Sequence, residues 1–231
     1  MEYLPHGLQL EIPEGCFPLT TDSMLLAHFA GSLGNRWVLD LGSGCGTLGL
    51  LLCAGSPRCH VTGIELDEAA HRGAENNIRQ NNLAGRMESI CAHLGRVPGL
   101  FEPGSFDCCI SNPPYFSGGP TSRFPLARQE GSCTLEDLMV SAAWALKFGG
   151  DFFLVHRPER LGELIVQGAA RELEAKQLAL VRHREGGPIA LVLLRLRKGA
   201  RPGLTIEEWA LHRADGSPTQ KYLEIYHIQE D

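Results

Sequence analysis

One short segment restricts the possible folds of this chain more than any other, because an apolar run leads directly into a loop with a glycine at every second position. Residues 38–41 read Val-Leu-Asp-Leu, and residues 42–46 read Gly-Ser-Gly-Cys-Gly. Glycines let a chain turn sharply and bring backbone amides close to a ligand. Residues 47–52 then predict the start of a buried helix, and residues 60–64 a second strand that ends at Glu65. The order of strand, glycine loop, helix, strand and acid favours an α/β sheet that binds a nucleoside.

The details of the glycine loop distinguish between nucleoside cofactors. A nicotinamide-binding loop reads Gly-x-Gly-x-x-Gly and faces a pyrophosphate, whereas here Asp40 precedes Gly-x-Gly-x-Gly. An acid beside the loop repels a phosphate but suits S-adenosylmethionine, which carries an ammonium and a sulfonium. Asp40 could instead order the glycine turn by accepting from its backbone amides, and both roles can hold together. Glu65 is placed to accept hydrogen bonds from two ribose hydroxyls, or else to cap the helix that follows it.

A second motif, Asn112-Pro113-Pro114-Tyr115, follows the apolar run of residues 106–111. The asparagine side-chain oxygen and a carbonyl held by two prolines form a rigid pair of acceptors, and the aromatic ring can stack on a flat substrate. An exocyclic amine needs such groups in order to be methylated. Alone, the motif fits a turn at a strand end equally well, because Asn-Pro and Pro-Pro are common in loops. The glycine loop upstream favours the methylation reading.

With both motifs in place, the sequence resembles the class I S-adenosylmethionine-dependent methyltransferases that methylate amines. It is most similar to the bacterial adenine N6-methyltransferases that act on a valine tRNA, and the similarity covers nearly the whole chain. The matching segments are residues 17–29, the glycine loop, Glu65, residues 76–82, residues 112–115, residues 127–130 and a closing segment through Asp215-Gly216. The resemblance implies S-adenosylmethionine as the cofactor and tRNA as the partner. It leaves the oligomeric state open.

The resemblance also implies which residues form the site. The catalytic group is Asn112, Pro113, Pro114 and Tyr115. The cofactor group is Asp40, Gly42, Ser43, Gly44, Gly46, Glu65, Leu66 and His93, with Asn112 beside them. Tyr115 is expected to contact the substrate base, and Arg123 and Arg128, in a loop rich in Gly, Pro and Ser, its phosphates. Glu130 could instead pair with Arg128 and order that loop.

His93 departs from the family pattern, in which an acid after the third strand contacts the amine of the cofactor adenine. A neutral imidazole can accept that hydrogen bond through one ring nitrogen, but an imidazolium cannot. We therefore expect cofactor binding to weaken as the pH falls through the titration of this histidine. The alternative is a surface histidine at the start of a helix.

Strand and helix patterns alternate along the chain, as a doubly wound parallel sheet requires. The predicted strands are residues 37–41, 59–64, 87–90, 106–111, 151–156, 179–182 and 189–196. The predicted helices are residues 23–32, 47–54, 68–81, 135–147 and 158–174, with a last helix through Tyr226. Thr134 and Asp137 predict a capping box for the fourth helix. We expect a Rossmann-like class I methyltransferase fold with a seven-stranded, mostly parallel, doubly wound sheet, in which residues 189–196 run antiparallel. In this winding the first and fourth strands are neighbours, so the two motifs meet at their carboxyl ends.

Length and composition limit the class of protein. The chain has 231 residues with 43% hydrophobic content, which suits one substantial core. We expect a single methyltransferase domain over residues 1–231, with an amino-terminal segment at 1–35 and a carboxyl-terminal extension at 203–231. No apolar run approaches the ~20 residues of a membrane span, and the amino terminus is not a secretory signal, so we expect a cytoplasmic protein. The cysteines lack metal-binding spacings, so we expect free thiols and no metal.

The net charge of -6 is unfavourable for a protein that approaches a polyanion, so local clusters of cations would have to compensate. Arginines do concentrate in residues 182–201. A rival interpretation keeps the chemistry and changes the substrate, since glutamine N5-methyltransferases of release factors also use Asn-Pro-Pro-Tyr. They commonly carry a helical amino-terminal domain, for which residues 1–35 leave little room. A non-catalytic scaffold that binds S-adenosylmethionine or RNA is a third possibility, against which the intact tetrapeptide argues.

Overall fold

The structure is a computed structural model that describes residues 2–113 and 133–227. Its strands are β1 (Glu2–Tyr3), β2 (Gln9–Leu10), β3 (Trp37–Leu41), β4 (His60–Glu65), β5 (Met87–Cys91), β6 (Phe106–Ser111), β7 (Leu146–His156), β8 (Leu173–Arg184), β9 (Ile189–Lys198) and β10 (Thr205–His212). Its α-helices are α1 (Thr21–Ala30), α2 (Thr47–Gly55), α3 (Glu68–Gln80), α4 (Val97–Leu100), α5 (Leu135–Ala145), α6 (Leu161–Ala169) and α7 (Gln220–Tyr226). Short 3-10 turns cover Pro5–Gly7, Leu94–Arg96 and Pro158–Arg160.

The main sheet has the strand order β10-β8-β9-β7-β6-β3-β4-β5. β9 pairs antiparallel with β7 and with β8, and the other neighbouring strands pair parallel. The Rossmann-like, mostly parallel sheet and its antiparallel strand are therefore confirmed. β3 and β6 are neighbours, with Val38 opposite Cys108, and the direction of winding reverses between them. Such a reversal opens a crevice at the carboxyl ends of the two strands.

The sheet has eight strands in place of the seven predicted. The additional strand, β10, lies in the region assigned to the carboxyl-terminal extension and pairs with β8 at the edge of the sheet. An edge strand buries few side chains, and in β10 the buried ones are Trp209 and Leu211, near its end. The alternation of apolar and polar residues is therefore too short to predict a strand.

Two predicted boundaries are also wrong. The strand expected at residue 151 begins at Leu146, because residues 147–150 bulge out of the ladder between Phe106 and Cys108 of β6. The helix expected over residues 158–174 is a 3-10 turn followed by α6, and its last residues belong to β8. Glu172, with φ of 60°, separates α6 from β8 and allows the sharp change of direction.

Helices cover both faces of the sheet. One hydrophobic cluster joins the sheet to α1, α2 and α3, and a second joins it to α4, α5 and α6. Neighbouring residues of β3 alternate between them, with Val38 in the first cluster and Leu39 in the second. Burying each such side chain stabilises the fold by about 1.5 to 3 kcal/mol. The tips of β3 and β6 are therefore held by a core on both sides.

The amino-terminal segment is fastened to α3 by two asparagines one helical turn apart. Asn77 accepts from the backbone N–H of Glu11 at 2.8 Å and donates to the carbonyl of Glu11 at 2.9 Å. Asn81 makes the same pair of contacts with Gln9, at 2.9 and 2.7 Å. Asn77 is fully buried and also donates to the carbonyl of Cys45 at 2.9 Å. We call these contacts the asparagine clasp; it ties the amino-terminal segment to both α3 and the glycine loop.

Candidate active site

The two sequence motifs meet at the carboxyl ends of β3 and β6. Residues 42–46 follow β3, and Asn112 follows β6. The pairing of the strands reaches Asp40 opposite Ile110, and the buried hydroxyl of Ser111 then donates to the carbonyl of Leu41 at 2.7 Å. This bond carries the contact between the strands to their very tips. The juxtaposition expected from the sequence is present.

The glycine loop folds back over the end of β4. Gly42, Gly44 and Gly46 have φ values of 78°, 54° and 83°, which other residues rarely adopt. The backbone N–H groups of Gly42 and Ser43 donate to the carbonyl of Ile64 at 2.9 and 3.0 Å. Gly63 lies so close below that a Cβ on it would come within 2.8 Å of Ser43 Cβ. The sequence therefore needs glycine both in the loop and beneath it.

Glu65 orders the glycine loop. Its Oε2 accepts from the N–H of Gly44 at 2.7 Å, and its Oε1 accepts from the N–H of Asp67 at 2.8 Å. Burial raises the pKa of Glu65, and the backbone N–H groups partly offset that effect. Each carboxylate oxygen has a further lone pair, so ribose hydroxyls remain suitable donors. The helix-capping alternative considered for Glu65 belongs instead to Asp67, which accepts from the N–H of Ala70 at 2.8 Å.

Asp40 lies beneath the loop and is fully buried. Neither of its carboxylate oxygens has a hydrogen-bond partner within residues 2–113 and 133–227. Burial, with a smaller contribution from nearby Glu65, raises the pKa of Asp40 to about 8. The loop-ordering role considered for Asp40 is therefore wrong, because Glu65 fills it. A cation bound beside Asp40 would lower this pKa again and a phosphate would raise it further, so the buried acid fits a cationic ligand better than a phosphate.

Asn112 is half-buried, and its Nδ2 donates to the hydroxyl oxygen of Ser23 on α1 at 3.1 Å. Pro113, which follows it, is buried. α1 thereby joins the site, although the sequence motifs give no sign of this contact. The remaining predicted residues on this side, Pro114, Tyr115, Arg123 and Arg128, lie outside the described residues.

The tip of β5 borders Glu65, since the N–H of Ala92 donates to the carbonyl of Glu65 at 2.9 Å. Leu66 is 44% exposed at this edge. His93 caps the turn Leu94–Arg96, and its Nδ1 accepts from the N–H of Gly95 at 3.0 Å. This contact occupies Nδ1 and leaves Nε2 as the ring nitrogen that could face a ligand. This contact favours the alternative of a capping histidine, and the contact of His93 with the cofactor amine stays a prediction.

His156 lies at the edge of the sheet that carries the candidate site, and the sequence motifs give no sign of it. It ends β7, two residues after Leu154, which pairs with Ser111. It is 1% exposed, and its Nδ1 accepts from the N–H of Arg157 at 2.8 Å. Burial is the main cause that lowers its pKa to about 4. The imidazole is therefore neutral at physiological pH, and its position at a strand end was the one signal available in the sequence.

The arginines that concentrate late in the sequence do not form one surface. β8 and β9 are antiparallel, so Arg184 lies at the edge of the sheet that carries the candidate site, and Arg197 lies at the opposite edge. At that opposite edge Arg197 donates to buried Asp151 at 2.8 and 3.0 Å. It lines, with Arg36 and Lys147 among others, a cavity of about 370 Å³. This cavity is remote from the candidate site, and its charged groups are paired with one another.

Within the part of the chain that the structure describes, no group of three or more His, Cys, Asp or Glu side chains could hold a metal ion. Across the same residues, every helix is too short or too polar to span a bilayer. The eight cysteines are free thiols.

Known proteins resemble this chain in sequence and in structure. The family described as the methyltransferase small domain matches residues 20–177. A tRNA1(Val) (adenine(37)-N6)-methyltransferase from Aeromonas hydrophila is 32% identical over 209 residues, which are 89% of this chain and 86% of that protein. A protein of the same description from Serratia proteamaculans is 30% identical over 210 residues, covering 89% of this chain and 80% of its own. The crystal structure of a predicted O-methyltransferase from Agrobacterium tumefaciens superposes with a TM-score of 0.74 at 22% identity, covering 90% of this chain and 96% of that one.

Proposed function

The chain belongs to the methyltransferase small-domain family, and on that premise we propose that it transfers a methyl group from S-adenosylmethionine to N6 of an adenine in tRNA. The observation that carries this proposal is the bond from Ser111 to the carbonyl of Leu41, which joins the residue before Asn112 to the residue before the glycine loop. A donor site and an acceptor site are thereby adjacent. The two relatives are tRNA adenine N6-methyltransferases, and their alignments span most of both chains.

On the donor side, S-adenosylmethionine supplies a methyl group bound to a positively charged sulfur. We assign Glu65 to its ribose hydroxyls, because Glu65 contacts the glycine loop through Oε2 and each of its carboxylate oxygens keeps a free lone pair. We assign Asp40 to the ammonium group of S-adenosylmethionine, because this buried acid has no hydrogen-bond donor among the described residues. The glycine loop, with Ser43, lets the backbone approach closely, and Leu66 is exposed beside the proposed adenine position.

On the acceptor side, the lone pair of an adenine amine is delocalised into the ring and is weakly nucleophilic. Asn112 Oδ1 and the carbonyl of Pro113 are proposed to accept one N–H each, which localises the lone pair and aims it at the methyl carbon. The nitrogen bonds to that carbon while the carbon–sulfur bond breaks and leaves its electron pair on sulfur. The methylated nitrogen then releases a proton to water. The leaving thioether is neutral, so this chemistry requires no strong acid from the protein.

Residues outside the described part complete the proposal on sequence grounds. Tyr115 would stack on the adenine, with a contribution of about 1 to 3 kcal/mol. Arg123 and Arg128 would contact phosphates of the tRNA. An adenine in an anticodon loop costs less to unstack than one inside a stem. We propose a cytoplasmic location on the same ground, because a tRNA substrate is found there.

The test is to incubate the protein with labelled S-adenosylmethionine and either unmodified tRNA or a release factor, and then to digest the products. We expect the label in N6-methyladenosine and a loss of at least about a hundredfold in turnover for Asn112→Ala, because one acceptor of the amine is gone. Asn76→Ala, on the exposed surface of α3, is the matched control and should keep full turnover. Label in the release factor would overturn the choice of substrate. Cofactor binding without any label would instead indicate a scaffold.

A further inference from the structure

The cavity of about 370 Å³ at the edge of the sheet opposite the candidate active site lies beside a gap in the sheet. Residues 147–150 of β7 form one of its walls. The pairing of β7 with β6 passes from Leu146 directly to Asp151, and the pairing of β7 with β9 also begins at Asp151. β7 is an interior strand, so this bulge interrupts a sheet that is otherwise paired on both sides. The volume is far larger than a single inorganic ion and lies within the ~300 to 1,000 Å³ of small-molecule sites.

The charged groups of this cavity are paired unequally, because three cations face two carboxylates. Arg197 holds Asp151 through two bonds, at 2.8 and 3.0 Å, and Lys147 holds Asp107 at 2.6 Å. Among the described residues, the guanidinium of Arg36 then has one contact, at 3.5 Å, with the same Asp151 that Arg197 occupies. The cavity therefore carries an excess positive charge, and Arg36 is its main source.

Arg36 and Lys147 are suited to hold a phosphate. A guanidinium presents five N–H donors in one plane and an ammonium presents three, so each can bind an anion and keep its carboxylate partner. The side chain of Arg36 is 44% exposed and that of Lys147 is 48% exposed, so a ligand can reach both. The two carboxylates hold the cations in place at the cavity. Bonds from such cations to phosphate oxygens are among the strong hydrogen bonds of proteins.

Phe148 adds an exposed aromatic ring to the same cavity. Its side chain is 80% exposed, and it lines the cavity together with Gly149 and Gly150. The ring rests against Gly199, where a Cβ would have no room. Phe148 is therefore held in position although most of its surface is in water. An aromatic ring beside cations is the arrangement on which proteins stack a base and hold its phosphate.

We propose that this cavity binds a nucleoside monophosphate, with the phosphate on Arg36 and Lys147 and the base on Phe148. The site is separate from the candidate active site, and the proposal does not depend on methyl transfer. A free mononucleotide and the 5′-phosphorylated end of an RNA carry the same groups, a phosphate joined through a sugar to a planar ring. Binding at this edge of the sheet leaves the crevice at the glycine loop free.

The first test measures the binding of AMP by calorimetry, with saturating S-adenosylmethionine to fill the crevice at the glycine loop. We expect a Kd on the order of 100 µM, which is modest for a ligand of this size. Arg36→Gln should weaken the binding at least about tenfold, because charge-assisted hydrogen bonds are lost. Arg58→Gln is the matched control, because Arg58 is exposed at the same edge, just before β4, and does not line the cavity. It should leave the Kd unchanged.

The second test uses Phe148→Ala, which removes a side chain that is mostly in water and should therefore leave the fold intact. It should weaken the binding of AMP about tenfold, because the stacked ring is lost. The Kd of ribose 5-phosphate, which has no base, should change by less than about twofold. If Arg36→Gln does not fold, this comparison of two ligands decides alone.

Three results would overturn the proposal: no binding of AMP, equal losses in Arg36→Gln and Arg58→Gln, or equal losses of both ligands in Phe148→Ala. A 5′-phosphorylated RNA pentanucleotide distinguishes the two sources of the ligand. Tighter binding than AMP, with the same dependence on Arg36, supports an RNA end, and equal or weaker binding supports the free nucleotide. Failure of the proposed function is seen separately, because the unaltered protein would then not label tRNA.

Discussion

At the scale of single residues, Asp40 has the most unusual surroundings in the site. Its pKa rises from 3.8 to about 8 because it is buried without a donor among the described residues, with Glu65 nearby. Between these pH values the folded chain keeps a proton that the unfolded chain has released. The free energy of unfolding therefore decreases as the pH rises through this range.

Replacing Asp40 by Asn removes this titration. We expect the melting temperature of Asp40→Asn, relative to that of the unaltered protein, to rise by several degrees between pH 5 and pH 8.5. The reason is that the difference in free energy of unfolding between the two proteins grows by at most about 1.4 kcal/mol for each pH unit. Thermal unfolding in matched buffers measures it. Glu14→Gln, at an exposed position, is the control and should show no such trend. A constant difference across this range would mean that Asp40 is ionised in the folded protein.

Residue-level roles were predictable where the signal is local. The spacing of Gly42, Gly44 and Gly46 predicts a glycine loop, and all three residues adopt positive φ. That Glu65, and not Asp40, orders the glycine loop was not predictable, because it depends on which carboxylate faces the N–H of Gly44 after β3 and β4 have paired. Ser23 was equally hidden, since its contact with Asn112 spans most of the first half of the chain.

At the scale of elements, the asparagine clasp shows how one helix organises its surroundings. Asn81 and Asn77 each donate one hydrogen bond to the backbone of Gln9 and Glu11, respectively, and accept one from it, as a neighbouring strand would. Asn77 adds the bond to Cys45 in the glycine loop. The position of the amino-terminal segment and the shape of the loop therefore depend on the same side chain.

We expect Asn77→Ala to lower the free energy of unfolding by about 2 kcal/mol, because it leaves three backbone groups without their partner. The Kd of S-adenosylmethionine should also increase severalfold as the loop loses its bond at Cys45. Urea unfolding and calorimetry measure the two effects. Asn76→Ala, one residue away on the exposed face, should change the stability by less than about 0.5 kcal/mol. Equal effects of both substitutions would show that the clasp does not hold the segment.

Elements were predictable in proportion to how much of them is buried. The strand at residues 37–41 was placed correctly, and the capping box of Thr134 and Asp137 starts α5 as expected. The sequence does not predict β10, because an edge strand with two buried side chains has no clear alternation of apolar and polar residues. The sequence does not predict the asparagine clasp either, for a different reason. Residues 76–82 are rich in asparagine, but side chains that bind a distant backbone leave no periodic pattern in the sequence.

At the scale of the whole molecule, neither the net charge nor the arrangement of the late arginines provides one basic surface for RNA. The net charge is -6, and the antiparallel β9 divides the late arginines between two edges of the sheet. A cluster in sequence is thus not a cluster in space. The phosphate contacts proposed for Arg123 and Arg128 gain importance, because they belong to the segment that follows Asn112.

We expect Arg128→Ala to weaken tRNA binding. The slope of log Kd against log salt concentration should also decrease by about 1, which is the contribution of one phosphate contact. Arg201→Ala is the control, because residue 201 follows β9 at the edge opposite the candidate site and is exposed. Its slope should match that of the unaltered protein. Filter binding across a salt series measures both, and an unchanged slope for Arg128→Ala would exclude the phosphate contact.

The asparagine clasp also has a consequence for how the chain matures on the ribosome. Proteins are made from the amino terminus, yet Gln9 and Glu11 find their partners only when residues 77–81 have emerged. Until then the first stretch of the newly made polypeptide stays undocked, and the loop around Cys45 lacks one of its anchors. A translation product that stops before α3 lacks these partners of Gln9 and Glu11, so we expect its amino-terminal segment to be held less firmly than in the complete chain.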